Sequence, residues 1–162
     1  MNVIVAVDEH WAIGKDGDQL CYIPADLKRF QALTTGHAVL LGRKTLDTFP
    51  GGRPLKNRRN LILSHQAGLQ IPGAEVFSDL ETALAAAPAD SFVIGGESVY
   101  RQALPHCRRA YVTKLQKSFP ADRHFPNLDA DPAWRLVEEE GPFQHEDLRF
   151  TYATYERVDG ER

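Results

Sequence analysis

Four brief apolar runs, Val3 to Val7, Ala38 to Leu41, Leu61 to Leu63 and Phe92 to Ile94, narrow the fold before anything else does. They are too short for stable helices and almost free of polar residues, as strands covered on both faces of a mainly parallel sheet must be. Helix candidates separate them. Pro24 to Leu33 opens with proline at the first helical position, Asp79 to Ala87 follows Ser78 as a plausible N-cap, and Glu97 to Leu104 stops at Pro105. Ala110 to Leu115, Trp134 to Glu138 and Arg149 to Tyr155 instead alternate polar and apolar residues and read as antiparallel edge strands. The expected fold is α/β, a single domain over residues 1–162. Its central mixed, mainly parallel β-sheet ends in antiparallel C-terminal strands and is flanked by helices on both faces. Pro50 to Pro54 reads as a surface loop inside that domain.

Composition removes several function classes. A chain of 162 residues, 43% apolar, can bury about 70% of its unfolded surface and needs no metal or disulfide staple. Cys21 and Cys107 form no CxxC pair, and the first ten residues lack the basic start of a signal peptide, so a reducing cytoplasm is expected. No apolar run approaches the roughly 18 residues that span a bilayer, so no membrane role is expected. Nineteen basic against 22 acidic residues leave no overall basic field for a nucleic-acid backbone, and any phosphate site must be local. The six histidines show no HxxxH or HExxH spacing, so no metal is expected. There is no GxSxG elbow or Walker loop; Cys21, the one visible nucleophile, reads as a small core residue. Without a heptad or an apolar surface stripe, a monomer is expected.

Asp26 is the most informative residue. At 100° per residue, Phe30 lies about 40° from it, Leu33 at about 340° and Leu27 at about 100°, so the acid falls within an apolar stripe. Two readings fit. Asp26, in the first turn, complements the helix dipole and faces water. Alternatively, with Phe30 and Leu27, it edges a planar apolar slot suited to a nitrogen heterocycle.

Strand ends carry the other signals. Gly42-Arg43-Lys44-Thr45 follows one apolar run and Gly95-Gly96-Glu97-Ser98-Val99-Tyr100 follows another. Each offers backbone N–H groups at a strand-to-helix turn, though each could be a plain turn. Leu63-Ser64-His65 ends a third run in polar side chains. Together they suggest a ligand crevice at the carboxyl edge of an open sheet.

Taken in order, Ala12-Ile13-Gly14, Ile23-Pro24-Ala25-Asp26-Leu27, Gly42-Arg43-Lys44-Thr45, Gly52-Arg53-Pro54-Leu55, Arg58-Arg59-Asn60, Val93-Ile94-Gly95-Gly96 and Asp122 through His124-Phe125-Pro126 resemble dihydrofolate reductase. The match runs from about Val3 to Arg157. The resemblance implies NADPH-dependent reduction of 7,8-dihydrofolate to 5,6,7,8-tetrahydrofolate, serving one-carbon and thymidylate metabolism, with antifolates as inhibitors. It implies that Asp26 is the active-site acid gripping the pterin, bonded by Thr113. Ile4, Val5, Ala6, Leu27, Phe30, Phe49 and Ile94 would line the substrate, Leu55 would pack its tail, and Arg58 would pair with the tail α-carboxylate. On the cofactor side Ala6, Ile13, Gly14, Leu20 and Ile94 would border the nicotinamide, with Tyr100 near it. Gly42, Lys44 and Thr45 with Gly95, Gly96, Glu97, Ser98 and Val99 would cradle the pyrophosphate. Arg43, Leu63, Ser64 and His65 would flank the adenosine end, Arg43, Ser64 and His65 at its 2′-phosphate, favouring NADPH over NADH.

Leu20-Cys21 stands where most members carry Pro-Trp, removing an indole that contacts substrate through water. Lys15 to Leu20, with Gly17, is expected to move as a lid. Lys56-Asn57 and Pro50-Gly51 also depart from the family's neighbouring loop. Two other readings compete: a related pterin or pyrimidine reductase on the same fold, and a folate- or nucleotide-binding protein that has lost turnover.

Overall fold

The computed structural model describes residues 1–158, so the last four positions of the expected domain lie outside the described residues. Its main sheet is built from β1 (Asn2–Val7), β4 (Ala38–Gly42), β5 (Arg59–Leu63), β6 (Ala74–Phe77), β7 (Phe92–Gly95), β8 (Arg109–Leu115), β10 (Trp134–His145) and β11 (Leu148–Arg157). Their order is β10-β11-β8-β1-β7-β4-β5-β6. From β8 to β6 all six strands are parallel; β11 is antiparallel to β8, and β10 to β11. A small second sheet joins β2 (Ala12–Lys15), β3 (Asp18–Gln19) and β9 (Arg123–His124) in the order β3-β2-β9.

The apolar runs form β1, β4, β5 and β7 in the interior, because strands paired on both edges and covered on both faces leave little room for polar side chains. β8 corrects the expectation of an antiparallel edge strand. It runs parallel to β1, in register Val3↔Ala110 through Ala6↔Thr113, and lies between β1 and β11. Its polar positions have partners: Thr113 bonds Asp26, and Lys114 reaches Asp129 and the Tyr155 hydroxyl. Alternation in β8 thus records polar contacts within the fold.

The pleat sorts side chains onto two faces. Val3, Val5 and Val7 pack with Trp11, Tyr100 and Phe125 beneath α3 (Leu80–Ala86) and α4 (Glu97–Ala103). Ile4, Val39, Leu41, Ile62 and Ile94 pack beneath α1 (Pro24–Thr34) and α2 (Arg43–Leu46). The cap of α3 is Asp79, not Ser78: its carboxylate accepts from the Thr82 N–H at 2.8 Å, satisfying a donor of the first turn. Pro105 ends α4 as expected but sits inside a 3-10 turn, Leu104–His106, near whose start a missing N–H costs nothing.

β10 runs seven residues beyond the expected Glu138, through two register shifts. Gly141-Pro142 lies at the second, on the sheet's outer edge, where proline breaks no ladder. The same strand leaves Leu136, Val137 and Phe143 partly exposed. Among the described residues no helix is long and apolar enough to cross a membrane.

Candidate active site

Proline at the start of α1 fixes the helix entry, and the Leu27 N–H closes the first turn onto the Ile23 carbonyl. That turn holds Asp26 over the sheet. Thr113 of β8 donates its hydroxyl to Asp26 Oδ1 at 2.5 Å, across 87 positions of sequence. Burial raises the Asp26 carboxyl above the ordinary carboxylate range; the Thr113 hydrogen bond and the charge of Arg29 pull the other way. Asp26 is thus half-buried and tied to the sheet by Thr113, which is not what a helix-dipole acid facing water would show. On the face of the sheet that carries α1 lies an apolar cluster that includes Ile4 and Ile94 from the sheet, Phe30 from α1, and Phe49 and Leu55 from the loops.

Two expected wall residues behave differently. Leu27 is 57% exposed and leaves the core packing to Phe30 and Leu33, which lie closer to the sheet on the helical wheel. Val5 turns to the opposite face of β1 and packs in the Trp11–Tyr100 cluster, since neighbouring strand residues point to opposite faces. Ile4 and Ala6 share the Asp26 side.

Arg58 belongs to the same helix's surroundings. Its Nη1 donates to Thr34 Oγ1 at 3.1 Å and its Nε to the Lys56 carbonyl at 2.8 Å. Thr34 Oγ1 in turn donates to the Phe30 carbonyl at 2.7 Å, so α1 positions both the acid and the guanidinium. No carboxylate lies within salt-bridge distance of Arg58 among the described residues, and burial lowers its proton affinity. The guanidinium is thereby held, charged and available, for an anionic group. Asn60 fixes the adjacent loop by bonding both the N–H and the carbonyl of Leu55. Two surface hollows, of about 280 and about 510 Å³, meet the site only through Arg58 and Leu55 respectively.

The carboxyl ends of β4, β5 and β7 form a second half-site. Gly95 has φ +134°, a backbone position that only glycine adopts readily, and a Cβ there would lie 3.5 Å from Thr45 Oγ1. A Cβ on Gly96 would lie 3.1 Å from the same oxygen, and one on Gly42 would lie 3.2 Å from Val99 Cγ2. Lack of side chains thus lets α2 and α4 converge and keeps backbone accessible between them. Arg43 is steadied by Asp47 at 3.5 Å and by Gln66 Oε1 at 3.2 Å, and the Gln66 N–H donates to Ser64 Oγ. Arg43, Ser64 and exposed His65 are therefore gathered on adjoining strand ends, with Gly42 opposite Leu63. Small residues, hydroxyls and cations at this edge fit a phosphate-bearing dinucleotide. Lys44 and Ser98 are exposed beside it. Tyr100 is buried, its hydroxyl spent on the Ile4 carbonyl at 2.8 Å, and burial pushes its ionisation upward.

The expected lid is a hairpin. Asp16 and Gly17, both at positive φ, turn β2 into β3. Asp122, just before β9, braces it: its N–H donates to the Gly14 carbonyl at 2.9 Å, and its Oδ2 accepts from the Asp16 N–H at 3.1 Å. Ile13 packs inward on the larger core, Gly14 is buried and Leu20 is partly exposed. Cys21 packs with Ile23, Leu115 and Phe150, as a small core residue should, and burial raises its thiol.

Glu97, expected at the pyrophosphate, accepts the His124 N–H on its Oε2 at 3.2 Å. Two supporting residues escape sequence reading: Thr34, a hydroxyl on the last turn of a helix, and Arg29, a surface-looking cation. Each acts through a partner remote in sequence, so only residue pairs, not spacing, could reveal them.

The family model described as "Dihydrofolate reductase" matches residues 1–157. The chain is 36% identical over 159 residues to a dihydrofolate reductase of Bacillus subtilis, covering 93% of each. It is 39% identical over 149 residues to one of Mycobacterium tuberculosis, covering 90% of each. A solved dihydrofolate reductase from Enterococcus faecalis, complexed with NADP(H) and RAB-propyl, superposes with a TM-score of 0.87 at 33% identity, over 98% of this chain and 96% of that one. With a family match over residues 1–157 and relatives at 36–39% identity over nine-tenths of each chain, this chain belongs to the dihydrofolate reductase family.

Proposed function

We propose that this chain reduces 7,8-dihydrofolate to 5,6,7,8-tetrahydrofolate with NADPH. Family membership makes it an oxidoreductase, and NADPH is its cofactor. The observation that carries the substrate reading is one carboxylate, Asp26, locked by Thr113 on the face of the sheet that carries the apolar cluster of Ile4, Phe30 and Ile94.

Asp26 accepts two N–H groups from the amidine edge of the pterin. Its second oxygen is not occupied by Thr113, and pairing with that edge offsets the burial that otherwise favours protonation. Ile4, Ala6, Phe30, Phe49 and Ile94 flank the rings and exclude water, while Leu27 covers them from the open side. Leu55 packs the tail and Arg58 pairs with its α-carboxylate. Bound NADPH supplies a hydride to the pteridine imine. The proton for the adjacent ring nitrogen comes from water, and Asp26 sets the tautomer and alignment that receive it.

Gly95, Gly96, Val99, Thr45 and Lys44 hold the pyrophosphate; Arg43, Ser64 and His65 hold the 2′-phosphate and select against NADH. Ala6, Ile13, Gly14 and Leu20 border the nicotinamide beneath the β2–β3 hairpin. We read residues 1–162 as one domain acting as a monomer in the cytoplasm, with small-molecule partners, antifolates among them, and a place in one-carbon and thymidylate metabolism. The test is loss of NADPH absorbance on adding dihydrofolate, beside an NADH series and Asp26→Asn. Turnover that prefers NADPH and collapses in Asp26→Asn supports this reading; a folded, ligand-binding protein without turnover overturns it.

A further inference from the structure

Arg29 has no place in the reading above. Its guanidinium lies 4.1 Å from the ring centroid of Tyr152 and 5.9 Å from that of Tyr111, and no carboxylate lies within salt-bridge distance among the described residues. A half-buried arginine whose neighbours are two aromatic faces is held by ring quadrupoles and packing, not by an anion that would cancel its charge.

What it is held against is informative. Tyr152 of β11 stands opposite Thr113 of β8 in the antiparallel ladder, and directly opposed residues share a face. Tyr111 lies two residues before Thr113 on the same strand and so also shares that face. Tyr152 is itself fixed by Phe143 and Phe150, at ring separations of 5.3 and 5.6 Å, and Tyr111 by Phe92 at 6.0 Å. Asp26 and Arg29 are three residues apart on α1, neighbours on the helix surface. β8 therefore holds the acid, through Thr113, and together with β11 it holds the cation, through the tyrosines.

We propose that Arg29 is a positioning residue for the active site: stacked on Tyr152 and Tyr111, it is the fixed, uncancelled cation against which Asp26 carries its negative charge. This rests on Asp26 being the substrate-binding acid. The other groups facing Asp26 do not replace it. Thr113 is neutral, Tyr152 and Cys21 are neutral groups whose ionisation Asp26 itself disfavours, Lys28 is exposed, and Lys114 is turned to Asp129. Lys117 acts on Cys21 and Glu140 on Tyr152. Arg29 is also the charged group that opposes the effect of burial on the Asp26 carboxyl.

Wild type, Arg29→Gln, Arg29→Lys and Tyr152→Leu are compared by two readouts. One is NMR titration of the Asp26 carboxyl carbon in ligand-free, 13C-labelled protein, assigned with Asp26→Asn. The other is the pH dependence of kcat/KM for NADPH-dependent dihydrofolate reduction. Arg29→Gln is expected to move the Asp26 midpoint up by about half a pH unit, the scale of one partly solvated charge a helical turn away. The pH–rate limb that follows Asp26 moves with it. Arg29→Lys restores most of the midpoint, because charge is kept, and Tyr152→Leu gives a smaller upward movement, because the cation is released to solvent.

An unchanged midpoint in folded Arg29→Gln overturns the proposal, even where thermal stability falls, since that result describes packing alone. If Arg29→Gln does not fold, Tyr152→Leu decides: an unmoved midpoint overturns, an upward one supports. Failure of the reductase reading looks different, because wild type then shows no turnover whether or not the Asp26 midpoint responds to Arg29.

Discussion

Thr113 Oγ1 donates to Asp26 Oδ1 at 2.5 Å, joining the first turn of α1 to an interior strand of the sheet. A hydrogen bond to an ionised acceptor is worth roughly 1.5–3 kcal/mol, so Thr113→Val is expected to cost about tenfold to a hundredfold in kcat/KM for dihydrofolate. KM for NADPH should stay near the wild-type value. Because this bond favours the charged acid, the Asp26-dependent limb should also move to higher pH. Steady-state kinetics across pH check both; an unaltered profile with normal dihydrofolate kinetics would reduce the contact to a structural tie.

Asp26 also sets a cost on folding. Burial raises its folded-state carboxyl above the ordinary value, so the folded chain binds that proton more readily than the unfolded chain does. The contribution to stability is then lost, not gained, as pH rises from the ordinary carboxylate range through the raised folded value. Asp26→Asn should consequently be more stable than wild type at pH 7.5 while losing activity, and the gap should narrow toward pH 4. Urea midpoints at the two pH values measure this; an equal gap at both would assign the effect to something other than ionisation.

How much of this was legible in the chain depends on the range of the signal. β1, β4, β5 and β7 announce themselves because a buried parallel strand is a local property, and the glycines at the ends of β4 and β7 mark close approach at the carboxyl edge. Asp26 stands out because its helical neighbours are apolar. By contrast β2, β3 and β9 are two to four residues long, too short to show a period, and exist through pairing with one another. β8 alternates like an edge strand, although its polar residues answer to Asp26 and Asp129. The support of Arg58 by Thr34, and of Arg29 by Tyr152, depends on which elements the topology brings together.

Arg58 offers a substrate-specific test. Its guanidinium is held by Thr34 and the Lys56 carbonyl with no carboxylate to satisfy it among the described residues. Lysine keeps the charge but loses the planar fork that engages a carboxylate through two parallel bonds. Arg58→Lys is therefore expected to raise KM for dihydrofolate roughly tenfold, consistent with loss of one charge-assisted hydrogen bond, with KM for NADPH unchanged. A truncated pterin substrate lacking the glutamate should show no difference between the two proteins, and a difference there would place the role of Arg58 elsewhere.

Gly95→Ala probes the opposite half of the site. At φ +134° an L-residue is strained by about 1–3 kcal/mol, and the added methyl would sit 3.5 Å from Thr45 Oγ1 and 3.7 Å from Tyr100 Cε2. The strain is relieved only by moving the end of β7 or the start of α4, both of which border the proposed pyrophosphate cradle. The variant should fold with a lower thermal midpoint and bind NADPH about tenfold or more weakly. The Asp26–Thr113 pair lies on α1 and β8, away from this junction, so dihydrofolate binding measured without cofactor should stay within about twofold. Titration of each ligand separately by intrinsic fluorescence distinguishes the two halves. Equal loss of both ligands would mean that the substitution unfolds the sheet edge generally, whereas loss of NADPH alone ties the glycine-lined junction to the cofactor.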